Sequence, residues 1–134
     1  TIASTQQLNL QSKIFDMFYP KWDQPLGPGV AAFTIGAMEQ IGTRFSDFID
    51  FLISKKVGIC LNVETIYEMY DQDCLFDFVA AKYLEKRNYL RGFYGYLKNM
   101  ESKNKVRILE ARRTFGSFYH DGYSYIVWQP VLQS

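Results

Sequence analysis

The sequence predicts a helix-dominant α+β domain, in which about four helices are followed by a small C-terminal antiparallel β hairpin or ribbon. Apolar residues recur at steps of three and four between Leu8 and Leu97, as they do on one face of a helix. Near the end, Asp121-Gly122 separates two runs rich in aromatic and β-branched residues, which is the strongest short-range hairpin signal. The 134 residues suffice for one domain with its own core.

The N-terminal part is predicted as a helical arm. Apolar residues start a helix near Thr5 that ends at Tyr19-Pro20, and the Pro- and Gly-rich segment KWDQPLGPG then forms a hinge. The predicted parts of the single domain 1–134 are this arm with its hinge, a helical body and a hairpin region, at residues 1–29, 30–100 and 104–129.

The second predicted helix begins near Val30 and ends near Lys55-Lys56, with Gly42 as an interruption. Its stripe follows steps of three and four at Val30, Phe33, Ala37, Ile41, Phe45, Phe48 and Leu52. ICLN follows as a crossing segment or a brief strand, and Asn62 is predicted to cap a short helix, VETIYEMY.

A long helix is predicted from Cys74, capped by Asp73. Its apolar stripe is Phe76, Val79, Tyr83, Leu90, Tyr94 and Leu97. Gly92 and Gly95 weaken it and mark either an end or a close approach of another backbone. KVRILEA fits a third strand or a helix equally well, and the hairpin follows.

Charge is strongly polarised along the chain. Residues 1–81 contain five Lys or Arg against ten Asp or Glu, whereas residues 82–113 contain ten against three. At 100° per residue, Arg87, Arg91 and Lys98 share one helical stripe beside Tyr94. We therefore predict a partner- or phosphate-binding surface at Arg87, Arg91, Tyr94, Lys98, Lys103, Lys105, Arg107, Arg112 and Arg113.

Three interpretations of this basic region stay open. The charges are either a solvated or internally paired face, a site for nucleic acid or another phosphate-bearing ligand, or a surface for an acidic protein. Aromatic residues make up 17% of the chain and belong either to the core or to an interface or stacking surface. Self-association of basic face on acidic face is a related alternative.

Catalysis has little support in the sequence. His120 is the only histidine and precedes the predicted turn, and the carboxylate pairs Glu64/Glu68 and Asp47/Asp50 are more often polar helix faces than acid/base pairs. We find no phosphate loop, dinucleotide fingerprint or metal-ligand cluster, so no cofactor is expected. Cys60 and Cys74 are predicted as buried thiols in a reducing, intracellular (cytoplasmic) compartment, and no run is long enough to insert into a membrane.

The sequence thus favours a non-enzymatic interaction or structural protein. It would act within a larger protein assembly, through protein partners or self-association, using an aromatic-rich and charge-polarised surface. The alternatives are a nucleic-acid-binding module built on residues 82–113 and, with no positive support, a small enzyme.

Overall fold

A four-stranded mixed sheet with α-helices packed on one side organises the fold. The computed structural model describes residues 13–23, 25–114 and 122–132. Its strands are β1 (Ala31–Ile35), β2 (Ile59–Glu64), β3 (Val106–Arg113) and β4 (Ser124–Pro130). The α-helices within the described residues are α1 (Ser46–Ser54), α2 (Leu75–Arg87) and α3 (Phe93–Ser102), and short 3-10 helices form at Met38–Ile41 and Tyr67–Met69.

The strands lie in the order β1-β2-β4-β3. β1 runs parallel to β2, whereas β4 is antiparallel to both β2 and β3. A register shift between Ile108 and Glu110 marks a bulge in β3. β1 and β3 are therefore the two edges of the sheet.

The predicted fold class is wrong, because the molecule is not a helical body with a separate C-terminal hairpin. β3 and β4 do pair antiparallel, but β4 also pairs with β2, so both belong to the mixed sheet. KVRILEA takes the strand alternative in β3. Asp121 of the predicted turn lies outside the described residues.

The predicted helix over residues 30–55 is wrong over its first half. Ala31–Ile35 is strand β1, with alternating burial along its length, and only Ser46–Ser54 is α-helical. Gly36 follows the strand with φ of +57°, a conformation that favours glycine and turns the chain into the 3-10 helix. The spacing of three and four here links residues of different elements.

The next two helix predictions also need correction. Asn62 lies inside β2 and caps no helix, since the strand alternative for ICLN is the one that forms. The long helix from Cys74 is interrupted: α2 ends at Arg87, Asn88 follows with φ of +53°, and Gly92 precedes α3 with φ of +81°. Gly92 thus marks a boundary, as one of the two sequence alternatives had it.

The core lies between the sheet and the helices α1 and α3. Trp128 and Ile126 of β4 are fully buried in one cluster with Ile49 of α1 and with Phe93 and Leu97 of α3. The ring of Phe93 packs edge-on against Phe45, with centroids 5.5 Å apart. Burial of large apolar side chains from both layers is what stabilises this arrangement.

Residues 13–23 pack against α1 through aromatic contacts. The Phe15 ring lies 5.9 Å from that of Phe48 and 5.6 Å from that of Phe51, centroid to centroid. The Lys55 ammonium donates a 2.6 Å hydrogen bond to the Trp22 carbonyl. Residues 13–18 are not helical, so the predicted N-terminal helix does not extend to Tyr19; its start lies outside the described residues.

Candidate interaction surface

Alternation along the strands divides the sheet into a core face and an opposite face, which we call the open face. Cys60, Asn62 and Glu64 of β2 point to the core face, as their burial shows. The cross-strand register then places on the open face Ala31, Phe33, Ile35, Ile59, Leu61, Val63, Tyr125, Val127 and Gln129, together with Arg107, Glu110 and Arg112.

The open face is apolar on the β1 and β2 side and is exposed. Phe33 retains 71% of its accessible surface and Ile35 61%, and Ile59 and Leu61 are also exposed. These residues are neighbours on adjacent strands, with Phe33 directly opposite Leu61. Interaction sites on proteins are commonly contiguous exposed apolar surface of this kind.

β1 adds an open edge to this face. It pairs with β2 on one side, and no other strand of the described residues lies beside it. Sheets that are wholly parallel are almost always covered on both faces, whereas here the parallel pair belongs to a mixed sheet. The pair has an exposed apolar face and, among the described strands, one unpaired edge.

The open face becomes charged toward the other edge. Arg107, Glu110 and Arg112 of β3 point to it, and the Tyr125 hydroxyl donates a 2.6 Å hydrogen bond to Glu110 Oε1. That bond to a carboxylate raises the pKa of Tyr125 above its usual value. The apolar part of the face is thus bounded by a polar margin.

The core face carries a buried polar cluster beneath β2. The Asn62 amide donates to Thr34 Oγ1 at 2.9 Å and accepts from Trp128 Nε1 at 2.8 Å. It also lies 3.3 Å from the sulfur of Met38. With its amide satisfied from three elements, Asn62 fixes their relative positions.

Glu64 is fully buried at the end of β2. Its carboxylate accepts backbone N–H groups of Ala37 and Glu39, each at 3.3 Å, at the start of the 3-10 helix after β1. Burial raises the pKa of Glu64, and these hydrogen bonds offset only part of the shift. These hydrogen bonds fix the segment that follows β1 against the end of β2.

The residues considered for catalysis do not assemble into one site. Glu64 is buried in a strand while Glu68 is exposed in a 3-10 helix, so the predicted helical pairing of the two is wrong. Asp47 and Asp50 are exposed on α1, where Asp50 accepts a 2.9 Å bond from the Tyr96 hydroxyl. His120 lies outside the described residues.

The predicted basic set is divided between the two sides of the sheet. Lys98 lies over the Tyr94 ring at 4.3 Å on α3, which packs on the core side, whereas Arg107 and Arg112 point to the open face. Arg87 lies over Tyr89, Arg91 donates to Asn88, and Lys103 and Lys105 are exposed in the turn after α3. Nucleic-acid binding by this set stays a prediction.

Arg113 is held within the fold. It forms an ion pair with Asp77 of α2 at 3.0 Å and donates to the carbonyls of Thr114 and Gly122. Its guanidinium also lies 4.4 Å from the centre of the Tyr70 ring. These contacts make Arg113 a link between β3 and α2.

The residues that sequence reasoning missed are those of the open face. A period of two in AAFTI, with Ala31, Phe33 and Ile35 on one side and Ala32 and Thr34 on the other, is the signal that could have revealed β1. The spacing of three and four at Val30, Phe33 and Ala37 predicts a helix over the same residues.

The two cysteines differ in environment. Cys60 is buried on the core face, and burial raises the pKa of its thiol to about 12. Cys74 is exposed just before α2, which corrects the prediction of two buried thiols. Both are free thiols.

Within the part of the chain that the structure describes, no helix combines the length and apolar character that a membrane crossing requires. The comparisons with known proteins return no match to a family model, to a curated protein or to a solved structure.

Proposed function

We propose that this protein is a non-enzymatic interaction domain, which binds a partner polypeptide in a larger assembly through the open face and the free edge of β1. The observation that carries the proposal is the exposure of Phe33 and Ile35 on a parallel edge strand. Covering those two side chains would remove apolar area from water, which is the main driving force of protein association.

The partner that fits best supplies a β-strand and a helix. A strand parallel to β1 would hydrogen-bond with its free edge, the mode of recognition called β-augmentation. A helix connected to that strand would lie across Phe33, Ile59 and Leu61, because a crossover connection between parallel strands covers one face of the sheet. Both elements would need apolar inner surfaces.

The charged margin on β3 limits the part of the open face that the partner covers. Arg107, Glu110 and Arg112 stay hydrated at the far edge, where a polar rim is typical of protein interfaces. The binding energy is then concentrated on the β1 and β2 side, with Phe33 as its central anchor.

Photo-cross-linking tests this proposal in the cells that make the protein. Benzoylphenylalanine is placed at Phe33 on the open face and, as a matched control, at Lys98 on the opposite side of the molecule. We expect adducts from position 33 whose cross-linked peptides map to one strand-helix segment of one partner, and none from position 98. Ile35→Asp should lower the adduct yield at least about tenfold, since it places a charge in the interface.

The proposal is overturned if position 33 yields no adduct, or if Ile35→Asp leaves the yield unchanged. Adducts that join two copies of this chain through position 33 would also overturn it. Far-ultraviolet circular dichroism on the purified variants confirms that each substitution leaves the fold intact.

A further inference from the structure

α2 carries a second exposed apolar surface that the proposed function does not use. Leu75, Phe76, Val79 and Tyr83 are exposed, and at 100° per residue they fall within one 100° arc of the helix, which we call the α2 stripe. Leu75 retains 78% of its accessible surface and Val79 57%. The stripe thus runs along most of the helix.

The opposite side of α2 holds it to the domain. Ala81 and Leu84 are buried in a small cluster with Tyr70, and Asp77 pairs with Arg113. Arg113 points to the core side of the sheet, so α2 and the open face lie on opposite sides. Both surfaces can therefore be occupied at once.

The ends of the α2 stripe carry opposite charges. Asp73 is exposed just before the helix, and Lys86 is exposed in its last turn, on the same arc as Val79. Neither forms an ion pair within residues 13–23, 25–114 and 122–132. They lie 13 positions apart in the sequence, and the helical part from Leu75 to Lys86 alone spans about 17 Å.

We propose that a second copy of this chain docks on the α2 stripe, with the two α2 helices antiparallel about a two-fold axis at Val79. In that register Val79 meets Val79 of the other copy and Leu75 packs against Tyr83. At both ends Lys86 lies within one residue's rise, about 1.5 Å, of the level of Asp73, while Glu85 is paired with Lys82 of its own helix. An isologous contact requires a surface that is complementary to itself. An apolar centre with an acidic end and a basic end meets that requirement.

Sedimentation equilibrium of the purified protein tests the dimer. We expect a monomer–dimer equilibrium that Val79→Glu weakens at least about 100-fold, since it places two like charges on the axis. Val79 is exposed, so circular dichroism and thermal unfolding of this variant should match the parent.

Exchanging the charges of Asp73 and Lys86 tests the alignment of the two α2 helices in the dimer. Asp73→Lys and Lys86→Asp should each weaken the dimer about 3- to 10-fold, as expected for two symmetry-related surface pairs. The double variant should restore the parent affinity, because every contact again joins opposite charges. A double variant weaker than both single variants would overturn the register.

Phe33→Asp is the control that separates this inference from the proposed function. It should leave dimerisation unchanged, because the open face lies across the sheet from α2. A protein that stays monomeric at every concentration would overturn the dimer, as would loss of the dimer in Phe33→Asp but not in Val79→Glu. A monomer that sediments with phosphatidylserine vesicles would instead assign the α2 stripe to a membrane surface.

Discussion

Trp128 of β4 and Asn62 of β2 are joined beneath the sheet by a 2.8 Å hydrogen bond from the indole Nε1 to the amide Oδ1. Both side chains are buried, and Asn62 uses its own N–H group to reach Thr34 of β1. One amide thereby connects β1, β2 and β4 at the layer that supports the open face. Removal of the Asn62 amide should therefore destabilise the whole sheet.

Asn62→Ala should lower the free energy of unfolding by about 2 to 4 kcal/mol, because it leaves the Trp128 N–H without a partner and opens a cavity. Denaturant unfolding followed by tryptophan fluorescence measures the change. The control is Asn99→Ala on the exposed side of α3, which should change stability by less than about 0.5 kcal/mol. Equal effects at both sites would contradict the assigned role of Asn62.

Glu64→Gln should remove the contribution of this carboxyl group to the pH dependence of the free energy of unfolding. The pKa of Glu64 is raised by burial from its ordinary 4.5, so the folded state binds the proton more tightly than the unfolded state. The stability this contributes is complete below the ordinary pKa and is lost as the pH rises through the raised value. The Gln variant should therefore gain stability relative to the parent as the pH rises above the ordinary pKa of 4.5. A stability difference that does not change as the pH rises above that value would refute the shift.

Replacement of glycine by alanine at Gly58 and at Gly95 should change the stability of the protein in opposite directions. A Cβ at Gly58 would collide with the carbonyl oxygen of Pro28, so Gly58→Ala should destabilise by about 1 to 3 kcal/mol. Gly95 lies inside α3 with no atom near its added Cβ, so Gly95→Ala should stabilise by about 0.5 to 1 kcal/mol. Thermal unfolding of both variants gives the comparison, and destabilisation by Gly95→Ala would count against the position of α3.

The ion pair between Arg113 and Asp77 should be structural. A double-mutant cycle with Arg113→Ala and Asp77→Ala should give a coupling free energy of about 1 to 2 kcal/mol, since the two side chains retain only 24% and 16% of their accessible surface. Arg113→Ala should be the more damaging single change, because it also removes bonds to two carbonyls. A coupling near zero would contradict a structural role for this ion pair.

Local signals in the sequence left alternatives open and failed wherever tertiary pairing decided the structure. Gly92 was either a helix end or a close approach, and KVRILEA either a strand or a helix; the structure has the helix boundary and the strand. β1 is only five residues long, and its spacing of Val30, Phe33 and Ala37 also fits a helix. Its parallel partner lies 28 residues further along the chain, and local propensity carries no information about such pairing.

The candidate surface was harder to predict than the fold. The clustering of the charged residues is visible along the chain, yet alternation in β3 places Arg112 and Arg113 on opposite faces of the sheet. Phe76, Val79 and Tyr83 were predicted as part of an apolar stripe that continued to Leu97 on one long helix, and the structure divides that helix. Only the placement of Ala81 and Leu84 in the buried cluster shows that the α2 stripe points outward.

Hydrogen exchange of the β1 amides, in the free protein and in its cross-linked complex, tests the interaction surface most directly. In the free protein we expect the amides of Ala31–Ile35 that point away from β2 to exchange at least about 100-fold faster than those of β2, because an unpaired edge is open to water. In the complex they should slow at least about 100-fold while the outer amides of β3 stay unchanged. Unchanged exchange in β1, or protection of β3 in its place, would contradict the account.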